Sequence, residues 1–469
     1  MHNLFIVIQR SILRNMALVF GVLVIMATVI PTKSQAIPIF ARQTGQKCVA
    51  CHAGGQFPEL NAFGRMFKLT GYTMGERVTV PLSVMGTISM TKVASTTPGS
   101  GNPQADFPQN GGFPHFTTAS IFAGGKVTDN VGLFGQWTYN AYNGGPDKYT
   151  QGHSSTDQFD LRYADHLIDN DRDLIIGASL NNNPGVTDVW NTFSGAFAST
   201  PGYVPAGNPT GVPGAAATPQ ILGLGPVAAG IDVYGYLNGT VYVEIGAYQT
   251  ANGAFSFLSQ GIRDANMGSK LKGKFNPYWR LALNHDWDAN SAMVGIFGLN
   301  VKIYPGSPVT TGPTNSYRDI GIDGQYQYIL DPDMFSAQFS YIKENQSYDT
   351  SLVGAGAGHD NTSNNLGYLR LKATYVYQAK FGGSLGYISG TGSSDPQLYN
   401  SPKPLGSANN TPDTRFWVPE AFWIPAQNVR AGIQYYKVTE FNGSSSNYDG
   451  NGRNASDNNT LFFYVWGAI

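Results

Sequence analysis

Met334-Phe335-Ser336-Ala337-Gln338-Phe339-Ser340-Tyr341-Ile342-Lys343 alternates apolar and polar side chains. Successive side chains of a strand point to opposite faces, so Phe335, Ala337, Phe339 and Tyr341 share one surface and Ser336, Gln338 and Ser340 the other. A helix would mix the two sets; the period of two identifies a strand with one apolar face and one polar face. The pattern returns along the chain. In residues 239–248, Val241, Val243, Ile245 and Ala247 oppose Thr240, Tyr242 and Glu244. In residues 364–378, Leu369, Leu371, Ala373 and Tyr375 oppose Arg370, Lys372 and Thr374. From Thr79 onward about sixteen such segments, each of roughly 10–14 residues, can be laid out.

The connections between these segments alternate in length. Short links fall at Thr128-Asp129-Asn130, Asn170-Asp171-Arg172, Asn238-Gly239, Asp288-Ala289-Asn290, Asp331-Pro332-Asp333, Gln378-Ala379 and Pro425-Ala426. Between them run long links rich in Gly, Asn, Ser, Thr and Pro: 95–112, 143–156, 183–226, 250–270, 304–315, 345–363, 391–412 and 441–457. Short periplasmic turns and long external loops are the layout of an outer-membrane barrel, whose strands present an apolar face to lipid and a polar face to the lumen. A stacked sandwich gives no reason for that alternation. The last segment, from Leu461 to Ile469, is aromatic-rich like a closing strand, although it ends in Ile rather than an aromatic residue. With the first strand running outward, both chain ends are expected on the periplasmic side. The expected fold is thus an all-β transmembrane barrel of about sixteen antiparallel strands, set in outer-membrane lipid.

Composition agrees. Charged residues are 13% of the 469, against roughly 25% in globular chains. Gly (57) and Pro (27) are abundant and aromatics make up 13%, yet mean hydropathy is only -0.19. Beyond the N-terminus no apolar run reaches the roughly 18–20 residues a spanning helix needs, which excludes a helical membrane bundle. A net charge of -1 gives no basis for nucleic acid as a partner. The inward positions expected from the alternation include Asp160, Arg162, Asp232, Glu244, Arg280, Asp319, Asp323, Arg370, Lys372 and Arg430. Acids and bases balance there, and with Tyr234, Tyr236, Tyr242 and Tyr436 they fit a filled lumen as well as a weakly selective pore.

Three segments divide the chain. Arg10 and Arg14, the apolar stretch from Ala17 to Ile30, and Ser34-Gln35-Ala36 are the parts of a secretory signal, so residues 1–36 are expected to be removed on export. Residues 37–78 carry Cys48-Val49-Ala50-Cys51-His52, the C-x-x-C-H pattern of covalent haem c attachment. One helical turn sets two thiols where they can add to the two vinyl groups, and the adjacent imidazole meets the iron. The two Cys are the whole complement of the chain, so no second pair exists to complete a zinc site. Residues 79–469 form the barrel.

Around the motif a short helical domain is expected. Pro58 fits a helix N1 position and Gly71 a C′ stop, with Leu60, Phe63 and Phe67 on one face. Lys47, Arg65 and Lys68 are candidates to neutralise haem propionates, with solvated surface charge the alternative. So small a domain does not bury a haem alone; the barrel is expected to cover it, with the domain plugging the periplasmic mouth or lumen. Ser83, Met85, Thr87, Ser89 and Thr91 share the inward face of the first strand, which makes Met85 the first candidate for the distal iron ligand. Met66, Met74 and His166 compete with it. A Met ligand would raise the haem potential. His115, His153, His285 and His359 are scattered without a partner at useful spacing and read as surface residues.

The run from Ile37 to His52, followed by Phe57 to Tyr72, resembles the fused monohaem cytochrome c–porins, the outer-membrane iron oxidases of iron-oxidising bacteria. The resemblance is specific over residues 37–72, and the barrel matches in length and layout. It implies that Cys48, Cys51 and His52 hold one covalent haem c. It further implies that extracellular Fe(II) gives an electron to this haem, which passes it to a periplasmic c-type cytochrome: a ferrous iron:cytochrome c oxidoreductase. No iron-donor site is carried over, because no motif places one on this chain. The opposing expectations are a diffusion porin whose cytochrome segment is only a structural or gating plug, or an electron conduit for a donor other than iron.

Overall fold

The computed structural model describes residues 38–55, 59–95, 114–140, 153–170, 172–192, 218–224, 227–259, 270–305, 310–354, 358–399 and 406–469. The segment read as an export signal lies outside them, as does Pro58. Strands β1 (Leu82–Val93), β2 (His115–Lys126), β3 (Val131–Asn140), β4 (His153–Ile168), β5 (Asp173–Asn181), β6 (Ala228–Leu237) and β7 (Val241–Thr250) are followed by β8 (Lys270–Leu271), of two residues only. Then come β9 (Asn276–Trp287), β10 (Asn290–Tyr304), β11 (Asn315–Leu330), β12 (Asp333–Ser347), β13 (Ser363–Tyr377), β14 (Phe381–Gly392), β15 (Thr414–Ala426), β16 (Val429–Glu440) and β17 (Thr460–Ala468).

All pair antiparallel in one sheet, and β1 pairs with both β2 and β17. The sheet is therefore closed. Setting aside β8, which only pairs with Ile303 and Tyr304 of β10, sixteen strands make the barrel, as the alternation implied. Closure leaves no strand edge unpaired, the condition a sheet must meet in lipid.

The short links form where they were expected. Asn238, Asp288, Gln378 and Ala379 have positive φ, the conformation of tight hairpin turns whose twist matches the strands. The seventh turn is displaced: Ala426 pairs with Val429, so Gln427 and Asn428 make it rather than Pro425 and Ala426. Proline lacks an N–H but is tolerated near a strand end. The first and last strands meet at the same end as these turns, where Val84 and Ile469 exchange both backbone hydrogen bonds (2.9 and 2.8 Å).

The two faces separate as the alternation predicts. On β7, Ile245 is 57% exposed and Glu244 is 1%. The outer wall is apolar and aromatic over its whole circumference, with Val84, Ile121, Val243, Leu281, Ile322, Tyr341, Leu371 and Trp417 all exposed. This is the surface of a lipid-facing barrel. Nine of the ten charged positions assigned inward are buried, and Lys372 is half-buried, with its side chain 10% exposed.

Candidate functional site

Among the described residues three short helices precede β1: α1 (Pro38–Thr44), α2 (Cys48–Cys51) and α3 (Ala62–Leu69). Gly45 at φ +68° ends α1. The Asn61 side chain caps α3 by accepting from the Gly64 N–H (3.0 Å) and donates to the Val49 carbonyl of α2 (3.1 Å). The helix thus begins after Asn61 rather than at residue 58. Gly64 lets α3 close on the motif, since a Cβ there would lie 2.1 Å from the Cys51 oxygen. Gly71, at φ +70°, follows Thr70 as the expected C′ stop. Of the expected apolar face, Phe67 is buried, Leu60 is half-buried and pairs with His52, and Phe63 is exposed.

Within α2 the two thiols are one turn apart. His52 donates its own backbone N–H to the Cys48 carbonyl (2.8 Å), and the Glu59 carbonyl lies 3.3 Å from its Nδ1. A carbonyl only accepts, so Nδ1 carries the proton and Nε2 is the acceptor nitrogen, the tautomer that ligates iron. Burial pushes the His52 imidazole down to about 4, against a smaller opposing effect of the Glu59 carbonyl, and keeps the ring neutral. Burial likewise pushes the Cys48 thiol up to about 12 and Cys51 up to about 11. The Cys48 Sγ donates to the carbonyl of Gln427, in the turn between β15 and β16 (3.2 Å).

The segment packs against inward-facing side chains around most of the circumference. Arg65 reaches Asp286 of β9 (3.0 Å), Ser291 of β10 (2.7 Å) and Gln327 of β11 (3.1 Å). Glu59, 2% exposed, accepts from Ser336 of β12 (2.6 Å) and lies 3.8 Å from Lys372 of β13. Tyr72 donates to Asp160 of β4 (2.6 Å) and stacks on Phe40, with Phe134 of β3 beside both. Gln43 donates to the Tyr72 and Met74 carbonyls and accepts from the Lys126 N–H at the end of β2. Gly132 of β3 lets the chain approach; a Cβ there would lie 2.0 Å from the Gly71 oxygen.

Arg65 and Lys68 are therefore docking cations rather than free partners for propionates. Lys68 donates to the Asp188 carbonyl (2.7 Å), and burial pushes it down to about 8. Lys47 is exposed.

Beside this segment, residues 183–192, from a loop expected to lie outside, enter the lumen. After β5 the chain turns inward through a short helix, Pro184–Thr187, and buries Trp190 to 1% exposure. The Trp190 indole donates to Asn284 (3.2 Å) and meets Tyr242 edge to face at 5.4 Å. Arg280 is 2.7 Å from Asp323 and 3.5 Å from Asp188, and Thr192 hydrogen-bonds to Asp323. Charges this deep persist only when paired. The composition of residues 183–226 signals a loop; the inward course of residues 183–192 depends on partners far along the chain, among them Tyr242, Arg280, Asn284 and Asp323.

Met85 takes the inward position expected of it, half-buried, and packs against the cluster that includes Tyr464, Trp466 and Ala468. Met66 packs against the cluster of Leu69, Trp190 and Tyr234, and the Met74 carbonyl serves Gln43. His166 pairs with Asp173 at the short-turn rim (2.6 Å). His285 stacks on Trp287. His359 is not a surface residue: it is 9% exposed and stacked on Tyr348 at 3.6 Å. His115 and His153 open β2 and β4. Sequence reasoning missed Met334, which packs with Ala53 just past the motif; a Cβ on Gly54 would be 3.0 Å from its Cε.

The residues present fit a haem c. Two thiols one turn apart on α2, and at its C-cap an imidazole whose Nδ1 faces a carbonyl, are the donor set that group needs. Gln338 Oε1 and Nε2, Ser340 Oγ and Thr374 Oγ1 are buried and make no hydrogen bond among the described residues. They flank Ser336 and Lys372, the two partners of Glu59. Among the described residues no cluster of three or more His, Cys, Asp or Glu forms a further metal site.

Fold and site together define a transmembrane β-barrel of sixteen strands with a C-x-x-C-H helix held against its inner wall. No protein-family model matches the chain, and no curated protein matches it. Solved outer-membrane barrels do. The outer membrane channel DcaP of Acinetobacter baumannii is 11% identical, covering 83% of this chain and 96% of that one, with a TM-score of 0.42. OmpF of Salmonella typhi is 11% identical over 83% and 97%, with 0.43. An anion-selective porin from Comamonas acidovorans is 10% identical over 83% and 98%, with 0.41. These values describe a shared outline; the barrel stands on its own strand pairing.

Proposed function

We propose that the chain is an outer-membrane electron-transfer protein. Cys48, Cys51 and His52 would hold one covalent haem c at the periplasmic end of the barrel, with Met85 as the candidate distal ligand. The observation that carries this reading is the seat of the motif: a neutral, tautomer-fixed His52 beside two thiols, inside a barrel wall that grips the segment through Glu59, Arg65 and Tyr72. When bound, the haem supplies a one-electron couple. The protein's own residues do the rest. Asn61 and Gly64 hold α3 against the motif, Arg65 and Lys68 fasten it to the wall and the inward loop, and Trp190 with its neighbours obstructs the lumen. By its resemblance to the cytochrome c–porins, the donor is extracellular Fe(II), which loses one electron and leaves Fe(III) outside; a periplasmic c-type cytochrome receives the electron.

The test is purified full-length protein mixed with Fe(II) in a stopped-flow spectrometer. Covalent haem and its rapid reduction are expected. A preparation without covalent haem sinks the reading, and haem that only another donor reduces sinks the iron assignment alone. One observation favours a diffusion porin: the unsatisfied polar wall of Gln338, Ser340 and Thr374 suits a wet passage on that side. Ion conductance in reconstituted bilayers would support it, whereas the electron-transfer reading expects little.

A further inference from the structure

Glu59 joins two things that are far apart in sequence. Its backbone carbonyl accepts from His52 Nδ1 (3.3 Å) and from the Ala53 N–H (3.1 Å). Its side chain is held by the barrel: Ser336 Oγ donates to one carboxylate oxygen at 2.6 Å, and Lys372 Nζ stands 3.8 Å from the other. Ser336 and Lys372 lie on neighbouring strands, β12 and β13, at inward positions one step apart, since Ser336 faces Thr374 in the register. A buried carboxylate that loses such partners is strongly penalised, so Glu59 cannot leave the wall while the segment stays docked. The carbonyl facing the imidazole is fixed with it.

We infer that Glu59 is a positioning residue through which the wall of the barrel orients the His52 imidazole and thereby sets the potential of the haem. The inference rests on the haem reading of Cys48, Cys51 and His52. Its physical basis is that a hydrogen bond from Nδ1 orients a ligating imidazole and makes it more basic. A more basic ligand favours the oxidised iron and lowers the potential. Loosening the clamp weakens that bond and raises it.

Spectroelectrochemical titration of the full-length haem-loaded protein tests this. Ser336→Ala leaves the Glu59 charge in place and removes only its anchor. It is expected to shift the reduced-to-oxidised ratio toward the reduced form by up to about tenfold, ~59 mV for one electron. Ser336→Thr, which keeps the hydroxyl, is expected to titrate like the unmodified protein. Glu59→Ala removes both wall contacts and a charge without touching a strand, and is expected to move the potential in the same direction and further. Unlike loss of the charge alone, it is also expected to change the g anisotropy of the oxidised low-spin haem, which reports the imidazole plane; an unchanged anisotropy overturns the inference. This variant decides the matter if the Ser336→Ala barrel fails to fold. Unchanged potentials in both Ala variants overturn the inference, as does a Ser336→Ala shift that Thr fails to restore. An unmodified protein lacking covalent haem overturns the haem reading itself.

Discussion

Replacing Arg65 with Met would release the helical segment from the wall without unfolding the barrel. The guanidinium makes hydrogen bonds to Ser291 (2.7 Å), Gln327 (3.1 Å) and the Leu60 carbonyl (3.2 Å), and an ion pair with Asp286 (3.0 Å). Hydrogen bonds from a charged donor contribute about 1.5 kcal/mol or more each. The Asp286 side chain is 42% exposed, so the ion pair adds under about 1 kcal/mol. Met gains no burial of its own, because the Arg65 stem is already buried. The Leu60 bond lies within the segment, so the two bonds to the wall, to Ser291 and Gln327, set a docking cost of about 3 kcal/mol. In hydrogen exchange of the protein in detergent, amides of Ala62–Leu69 would then open on the order of 100-fold more often, while strand amides keep their rates. Acceleration below about threefold would refute the account of Arg65 as a docking residue. Equal acceleration in β9 to β11 would show that Arg65 stabilises the wall rather than the seated segment.

Truncating Trp190 to Ala removes a fully buried aromatic from the inward loop, a loss of about 3–5 kcal/mol for a packed site. Single-channel conductance is expected to rise; an unchanged trace would mean that the loop does not obstruct the lumen. Gly64→Ala drives a Cβ to 2.1 Å from the Cys51 oxygen and is expected to lower the yield of covalently haem-loaded protein while the barrel still forms. A normal haem yield would show that α3 can sit elsewhere. Met85→Ala is expected to convert a low-spin haem spectrum to a high-spin one. A low-spin spectrum that survives the change excludes Met85 as the distal ligand and leaves it only its packing against Tyr464 and Trp466.

The wall of the barrel could be read residue by residue because lipid on one side and a lumen on the other impose a period of two on every strand. Glu244 inward and Ile245 outward follow from that alone. The turns at Asn238 and Asp288 follow from residues that tolerate positive φ, whereas Gln378 and Ala379 take that conformation without such a preference. The motif at Cys48, Cys51 and His52 is equally local, since its chemistry needs side chains within one helical turn.

What the local pattern does not encode is which inward residue meets which partner. Arg65 and Lys68 look like surface cations on a short helix until Asp286 and Asp188 are brought to them. Residues 183–192 look like the start of an external loop until Asn284, Arg280 and Asp323 line up to receive Trp190 and its neighbours. Glu59 carries no signal at all in the sequence; its role depends on Ser336 and Lys372, 277 and 313 residues away. The period of the strands and the spacing of the motif are one-dimensional properties, set by backbone geometry and covalent reach, and the chain determines them by itself. The seating of the motif is a closure property. It exists only after β1 meets β17 and turns inward faces from distant strands toward one interior, and that the tertiary structure alone decided.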